Sequence, residues 1–176
     1  MSSDRLASDD PTAPAPLTSA ADCWVFDVDG CLIDSLTGTS LRPGAHDLLE
    51  HLARHGRRIV LWSAGGDAYA RARAEEFGVD HVVSDYCAKD GRDVDNRYLT
   101  ARLPLQDSHA VFVDDRPEDL AGDLDVLAVS PYLSDDPHDR GLHHVARRAG
   151  LVEPPGRQYG VPISQKNRSE RSWLAR

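Results

Sequence analysis

The chain has no run of about 18 apolar residues, so it offers no candidate membrane span. Its opening, MSSDRLASDDPTAPAPLTSA, lacks the basic stretch and following apolar stretch of a secretory signal. The Pro, Ala, Ser and Asp content there predicts a disordered leader over residues 1–20. Cysteine is scarce. Cys23, Cys31 and Cys87 are an odd set without CxxC spacing, which rules out complete pairing within the chain and favours a reducing, cytoplasmic setting. Positive charge is also in deficit: a formal net charge of −9 argues against broad, nonspecific nucleic-acid binding while leaving a local basic patch open. No internal repeat is visible, and Gly65-Gly66 is not part of a GxGxxG fingerprint. His51 and His55 stand one helical turn apart, but the intervening LAR lacks the glutamate of a zinc protease, so the pair reads as a solvated helix face.

What is present suits one domain: 176 residues can bury a core of ordinary size. After the leader, strand-like apolar runs alternate with helical patterns, the signature of a βαβ architecture. Strands are expected at Cys23–Asp27, Arg58–Trp62, His81–Ser84, Ala110–Val113 and Val126–Val129. Helices are expected at Ala45–His55, Asp67–Phe77, Asp93–Leu103 and Arg140–Arg148, with Gly56, Gly78 and Gly150 as stops after three of them. The expected fold is a three-layer α/β/α, Rossmann-like, doubly wound parallel sheet over residues 21–151. Residues 152–176, rich in Pro, Gly and charge, read as a C-terminal tail. From Gly156 onward that tail carries Arg157, Lys166, Arg168, Arg171 and Arg176 against Glu170; it reads first as a solvated terminus and second as a patch for an anionic partner.

The most informative segment is Trp24-Val25-Phe26-Asp27-Val28-Asp29-Gly30-Cys31-Leu32. Ligands of open parallel sheets bind beyond the carboxyl ends of the strands, where Asp27 and Asp29 would sit. Residues i and i+2 of a strand face the same way, so both carboxylates can address one site. Like charges held that close perturb each other unless a cation or a proton relieves them, which points to a metal-assisted carboxylate site. A calcium loop fits poorly, because Gly30 is fourth in the pattern rather than sixth and a strand precedes it. Further polar residues stand at later strand ends or in nearby loops: Ser63 in VLWSAG, Lys89 in YCAKD, and Asp114, Asp115 and Asp119 in VFVDDRPED. Taken singly, Ser63 is a strand-end cap, Lys89 a surface lysine, and the Asp114-Asp115 pair a helix cap.

In this order, FDVDGCL, VLWSAG, Lys89 and VFVDDRPED resemble the four motifs of the haloacid dehalogenase superfamily of phosphohydrolases, over residues 23–130. The resemblance implies a nucleophile at Asp27 that forms an aspartyl-phosphate, and a general acid and base at Asp29. It implies magnesium held by the Asp27 carboxylate, the Asp29 backbone carbonyl and Asp115, with Asp114 and Asp119 acting through water or as supports. Spacing alone leaves open whether Asp114 or Asp115 binds directly; the family pattern favours Asp115. Ser63 and the backbone N–H groups of Ala64 and Gly65 would bind phosphoryl oxygens, and Lys89 would offset charge on Asp27 and the transferred group.

Only 34 positions separate Asp29 from Ser63 and 26 separate Ser63 from Lys89. A separate cap domain needs on the order of 50 residues, so the spacing implies a capless member with an open site. Loop Asp34–Pro43 is then the expected local flap. The expected activity is magnesium-dependent hydrolysis of a phosphomonoester, on a small molecule or a macromolecule. A phospho-ligand binding module and a phosphotransferase to a hydroxyl acceptor are the alternatives.

Overall fold

A computed structural model describes residues 21–105 and 108–151; the expected leader and tail, with the tail's basic residues, lie outside the described residues. The elements are β1 (Cys23–Asp27), α1 (Ala45–Arg54), β2 (Arg58–Ser63), α2 (Asp67–Phe77), β3 (Asp85–Ala88), β4 (Ala110–Asp114), β5 (Asp125–Ala128) and α3 (His143–Arg148). The five strands form one parallel sheet in the order β3-β2-β1-β4-β5. Every residue of β1 is buried, as a central parallel strand covered on both faces must be.

The pleat sorts these side chains into two cores. Trp24, Phe26, Ile59, Leu61, Val111 and Val113 share a cluster with Leu48, Leu49 and Leu52 of α1, Ala70 and Ala74 of α2, and Val145 and Ala146 of α3. Cys23, Val25, Val60, Trp62 and Phe112 face the other way, onto Tyr98, Leu103 and Leu120. The register aligns Trp24 with Ile59 and Val111, and Val25 with Val60 and Phe112, so each face is built of transverse apolar rows. The chain winds outward from β1 through β2 to β3, then returns to β4 and β5 on the other side. That reversal leaves a crevice at the carboxyl end of β1, the ligand position of doubly wound sheets.

The Rossmann-like α/β fold is as expected, while two local assignments differ. His81–Ser84 is not a strand: Asp80–Val82 forms a single 3-10 turn, and β3 begins at Asp85. Val82 and Val83 are apolar because they pack against the helical core, not because they join the ladder, which opens at Val60 and Asp85. Asp93–Leu103 is not helical. The Asp93 carboxylate accepts the N–H groups of Asp95 and Arg97 at 2.9 and 2.8 Å, and Asn96 takes φ 64, local bonding that competes with a helix. Tyr98 instead brackets residues 119–121: its N–H donates to Asp119 O at 2.6 Å and its carbonyl accepts from Ala121 N at 2.9 Å. The second outer layer is therefore largely loop. Helix α3 is also shorter than expected, starting at His143. No described helix is long and apolar enough to cross a membrane.

A buried ion pair ties the segment after β1 to the segment after β5. The Arg42 side chain is wholly buried; its Nε and Nη2 donate to Asp139 Oδ1 and Oδ2 at 2.6 and 3.0 Å. Its remaining donors reach Cys31 O at 3.2 Å and Ser130 O at 2.8 Å. A buried pair with all its donors matched contributes little over an apolar isostere, but removing one partner strands the other. Arg42→Met is thus expected to destabilise the fold by about 3–5 kcal/mol, measured as the shift in urea unfolding midpoint; a loss below about 1 kcal/mol would show that Asp139 is satisfied by water.

Candidate active site

The parallel register brings the chemically interesting residues to one edge. Asp27 closes β1, Ser63 closes β2, Lys89 follows β3, and Asp114 closes β4. Lys89 is drawn inward by its backbone, whose N–H donates to Ser63 O at 2.9 Å. Its ammonium then lies 2.8 Å from Asp27 Oδ1 and 2.8 Å from Asp114 Oδ2, bridging the two strand ends. Beneath the charge, Nζ sits 5.1 Å from the Trp62 ring and 5.3 Å from the Tyr98 ring, so aromatic faces share in holding the cation.

Burial raises the Asp27 carboxyl well above the usual carboxylate range; Lys89 opposes this, and Asp114 and Asp115 add to it. For Lys89 burial works against the ammonium, but Asp27 and Asp114 more than offset it and the net shift is upward. Asp115 is raised by burial and then by the charge of Asp114. One ammonium therefore faces a surplus of carboxylate. Asp27, Asp114 and Asp115 each bring a carboxylate oxygen within 4.8 Å of the others, a hard-oxygen donor set suited to a divalent cation. A cation there would pull the raised carboxyls back down, so donor chemistry and charge balance both fit such an ion.

The Asp114 and Asp115 side chains are engaged differently. Both oxygens of Asp114 are taken, Oδ2 by Lys89 and Oδ1 by the backbone N–H of Arg116 at 2.8 Å. Asp115 lies against Gly30, where a Cβ would come within 2.7 Å of its Oδ2; with φ +82 besides, position 30 has room only for glycine. The glycine of the DVDG segment is thus what lets the fourth-motif carboxylate approach the first.

Asp27, Asp29, Ala64, Lys89 and Asp114 line a cleft of about 60 Å³ together with Tyr98, Arg116 and Asp119. Ser63 is fully buried and does not line it. Its Oγ accepts the Gly65 N–H at 3.0 Å and lies 3.5 Å from Asp29 Oδ2. The Gly65 N–H, expected at a phosphoryl oxygen, is here used to orient Ser63, while Ala64 lines the cleft. Asp119 is at the rim, 3.4 Å from Arg116 Nε.

Three neighbours went unmarked in the sequence. Tyr69, in the first turn of α2, donates its hydroxyl to Asp29 Oδ1 at 2.5 Å, and its phenol is pushed up to about 12 by burial and by that carboxylate. Arg116 immediately follows the acidic pair, a position that signals proximity to the edge. Tyr98 carries no such signal, since the segment holding it reads as helix.

The loop after Gly30 stands beside the cleft rather than over it, for none of residues 34–43 lines the cavity. Its organiser is Asp34, shielded wholly from solvent by the loop's own polar backbone. The carboxylate accepts N–H groups from Thr37, Gly38, Thr39 and Ser40, and hydroxyls from Thr37 and Ser40, at 2.6–3.1 Å. Burial alone would raise its pKa, but the Thr37 and Ser40 hydrogen bonds outweigh it and hold the carboxyl well below the usual range. A folded value below the unfolded one means stability that is present above about pH 4 and lost as pH falls through the folded value. Asp34→Asn should therefore destabilise the neutral-pH fold by about 2 kcal/mol and flatten the acid limb of stability against pH. Urea midpoints across that range test this, and an unchanged acid limb would remove Asp34 as a source of it.

The family model of the NLI interacting factor-like phosphatases matches residues 22–152 of the 176. No curated protein matches the chain significantly. The matched region contains every element described above, and the chain belongs to that phosphatase family.

Proposed function

We propose that this chain, a member of the NLI interacting factor-like phosphatase family, hydrolyses phosphate monoesters with magnesium by way of an aspartyl-phosphate on Asp27. The observation that supports this most is the Lys89 bridge between Asp27 and Asp114 at the wall of a small acidic cleft. A buried carboxylate held against an ammonium, with further carboxylates crowding it, suits a nucleophile whose charge is balanced for attack on an anionic ester.

In this reading an oxygen of Asp27 attacks phosphorus in line with the leaving oxygen, and Asp29 gives that oxygen a proton as the P–O bond breaks. Water then attacks the phosphorus of the aspartyl-phosphate, Asp29 takes its proton, and phosphate departs with Asp27 restored. Lys89 offsets charge throughout. The Ala64 N–H binds a phosphoryl oxygen, Ser63 supports that turn from below through the Gly65 N–H, and Arg116 stands at the rim. Magnesium would be held by the Asp27 carboxylate, the Asp29 carbonyl and Asp115, with Asp114, whose oxygens are committed to Lys89 and Arg116, as a support. When bound, it supplies charge neutralisation on the phosphoryl oxygens.

The size of the cleft bears on substrate. The cleft is small and opens to solvent, so a leaving group can extend through its mouth. An open mouth of this kind suits a phosphate carried on a large molecule as well as on a small one. All three cysteines are free, which supports the reduced, cytoplasmic setting.

Asp27→Asn is expected to abolish release of phosphate from 4-nitrophenyl phosphate while leaving the circular dichroism spectrum unchanged; retained turnover would end the proposal. Chelation should stop turnover and magnesium restore it. Asp115→Ala should raise the half-saturating magnesium concentration by at least about tenfold, read by titration of activity, whereas an unchanged titration would remove Asp115 from the ligand set. Phosphate binding without turnover would instead favour the binding-module reading, and phosphate transferred to an added alcohol the phosphotransferase.

A further inference from the structure

We propose that Tyr69 is a positioning residue for the acid–base carboxyl: its hydroxyl holds Asp29 Oδ1 and so fixes the orientation in which that carboxyl meets the cleft. This rests on the phosphatase mechanism above and adds a residue to it. The Tyr69 hydroxyl is 2.5 Å from Asp29 Oδ1, and the buried Ser63 Oγ lies 3.5 Å from Asp29 Oδ2, so the strong short bond to the carboxyl is the one from Tyr69. Asp29 lines the cleft and Tyr69 does not, so the phenol acts through the carboxyl rather than on substrate. A carboxyl turning freely about its last torsion presents its proton in several directions. One anchored at a single oxygen presents it in one, and proton transfer depends on that geometry before anything else.

Three features outside the site are arranged to keep the phenol in place. The ring lies across the turn from β2 to α2, where a Cβ on residue 65 would come within 2.6 Å of it; only glycine leaves this space. Arg73, one helical turn beyond, stacks its guanidinium over the ring at 5.6 Å and donates to Gly38 O at 3.3 Å. Gly38 belongs to the loop wound around Asp34, its N–H accepted by that carboxylate at 3.1 Å. A continuous line of contacts thus runs from the buried Asp34 through Gly38, Arg73 and Tyr69 to Asp29.

The proton donated by Asp29 matters most when the leaving oxygen is a strong base, and kcat/KM reports the steps up to its departure. The test compares wild type and Tyr69→Phe on glycerol 2-phosphate, whose alkoxide leaves poorly, and on 4-nitrophenyl phosphate, whose phenolate leaves well. Tyr69→Phe is expected to lower kcat/KM by about tenfold or more on the former and by about threefold or less on the latter. Gly65→Ala, which displaces the ring without removing the hydroxyl, should give the same selective loss. Equal losses on both substrates would assign Tyr69 to binding or folding, and no loss would leave it without a role; either result overturns the proposal. A wild-type protein inert on both esters, or active Asp27→Asn, would instead count against the phosphatase mechanism itself.

Discussion

One buried ammonium held between two carboxylates that are distant in sequence organises this molecule. Lys89 reaches Asp27 and Asp114 only because β1, β2, β3 and β4 end at nearly the same level, and they do so because the register is parallel and unslipped. A slip of one residue would turn each strand's core side chains to the opposite face and move Asp27 away from Asp114. The apolar rows of Trp24, Ile59 and Val111 on one face, and Val25, Val60 and Phe112 on the other, prevent that slip. Core packing and site geometry are therefore one constraint: the aliphatic and aromatic layers set where the charges stand, to within a fraction of a strand spacing.

The electrostatics at that edge are left unbalanced. Lys89 answers part of the negative charge, and burial with mutual repulsion keeps Asp27 and Asp115 raised. Elsewhere the fold treats buried charge differently. Arg42 has its guanidinium donors matched by Asp139, Ser130 and Cys31, and Asp34 is saturated by its own loop. Those two groups are structural by their completeness; Asp27 and Asp115, kept raised by burial and by neighbouring carboxylates, are not balanced in that way. Perturbed groups gathered in a cleft mark function on physical grounds, and the contrast within a single chain of 176 residues makes the distinction sharper than any one value does.

Much of the strand edge was legible in the sequence because it depends on local pattern. FDVDG reads as a strand with same-side acids, and the apolar runs before Ser63 and Asp114 announce two further strand ends. Helices α1 and α2 carry glycine stops and a leucine stripe or a first-turn acid, so their bounds fall nearly where expected. The segment 93–103 failed for a physical reason: spacing resembling a helix was overridden by the Asp93 turn and by Tyr98 reaching across to residues 119–121, contacts no local pattern encodes. Tyr69 was invisible for a related cause. In sequence it is one aromatic on a helix of low amphipathic contrast, and its meaning arises only where α2 is laid against the DVDG turn with glycine at position 65 beneath it. Arg42 and Asp139 are separated by almost a hundred residues, a pairing that only topology produces.

The layer that escaped prediction is also the layer best placed to set specificity. The acidic edge is built from strand ends and is tightly bound to the core, so it tolerates little variation. Of the cleft's lining, by contrast, Arg116 and Asp119 come from the turn after β4, and Tyr98, buried beneath Lys89, from the loop layer between β3 and β4. Under the proposed phosphatase reading, a leaving group extending from this open cleft would be discriminated by whatever touches it at the rim. Those segments lie outside the five-stranded sheet and are tied to each other by isolated bridges such as Tyr98 to Leu120, and connecting segments of this kind tolerate sequence change better than the sheet does. The fold thus has two parts around the cleft: an acidic edge fixed by the core, and loop and turn segments outside the sheet that complete its lining.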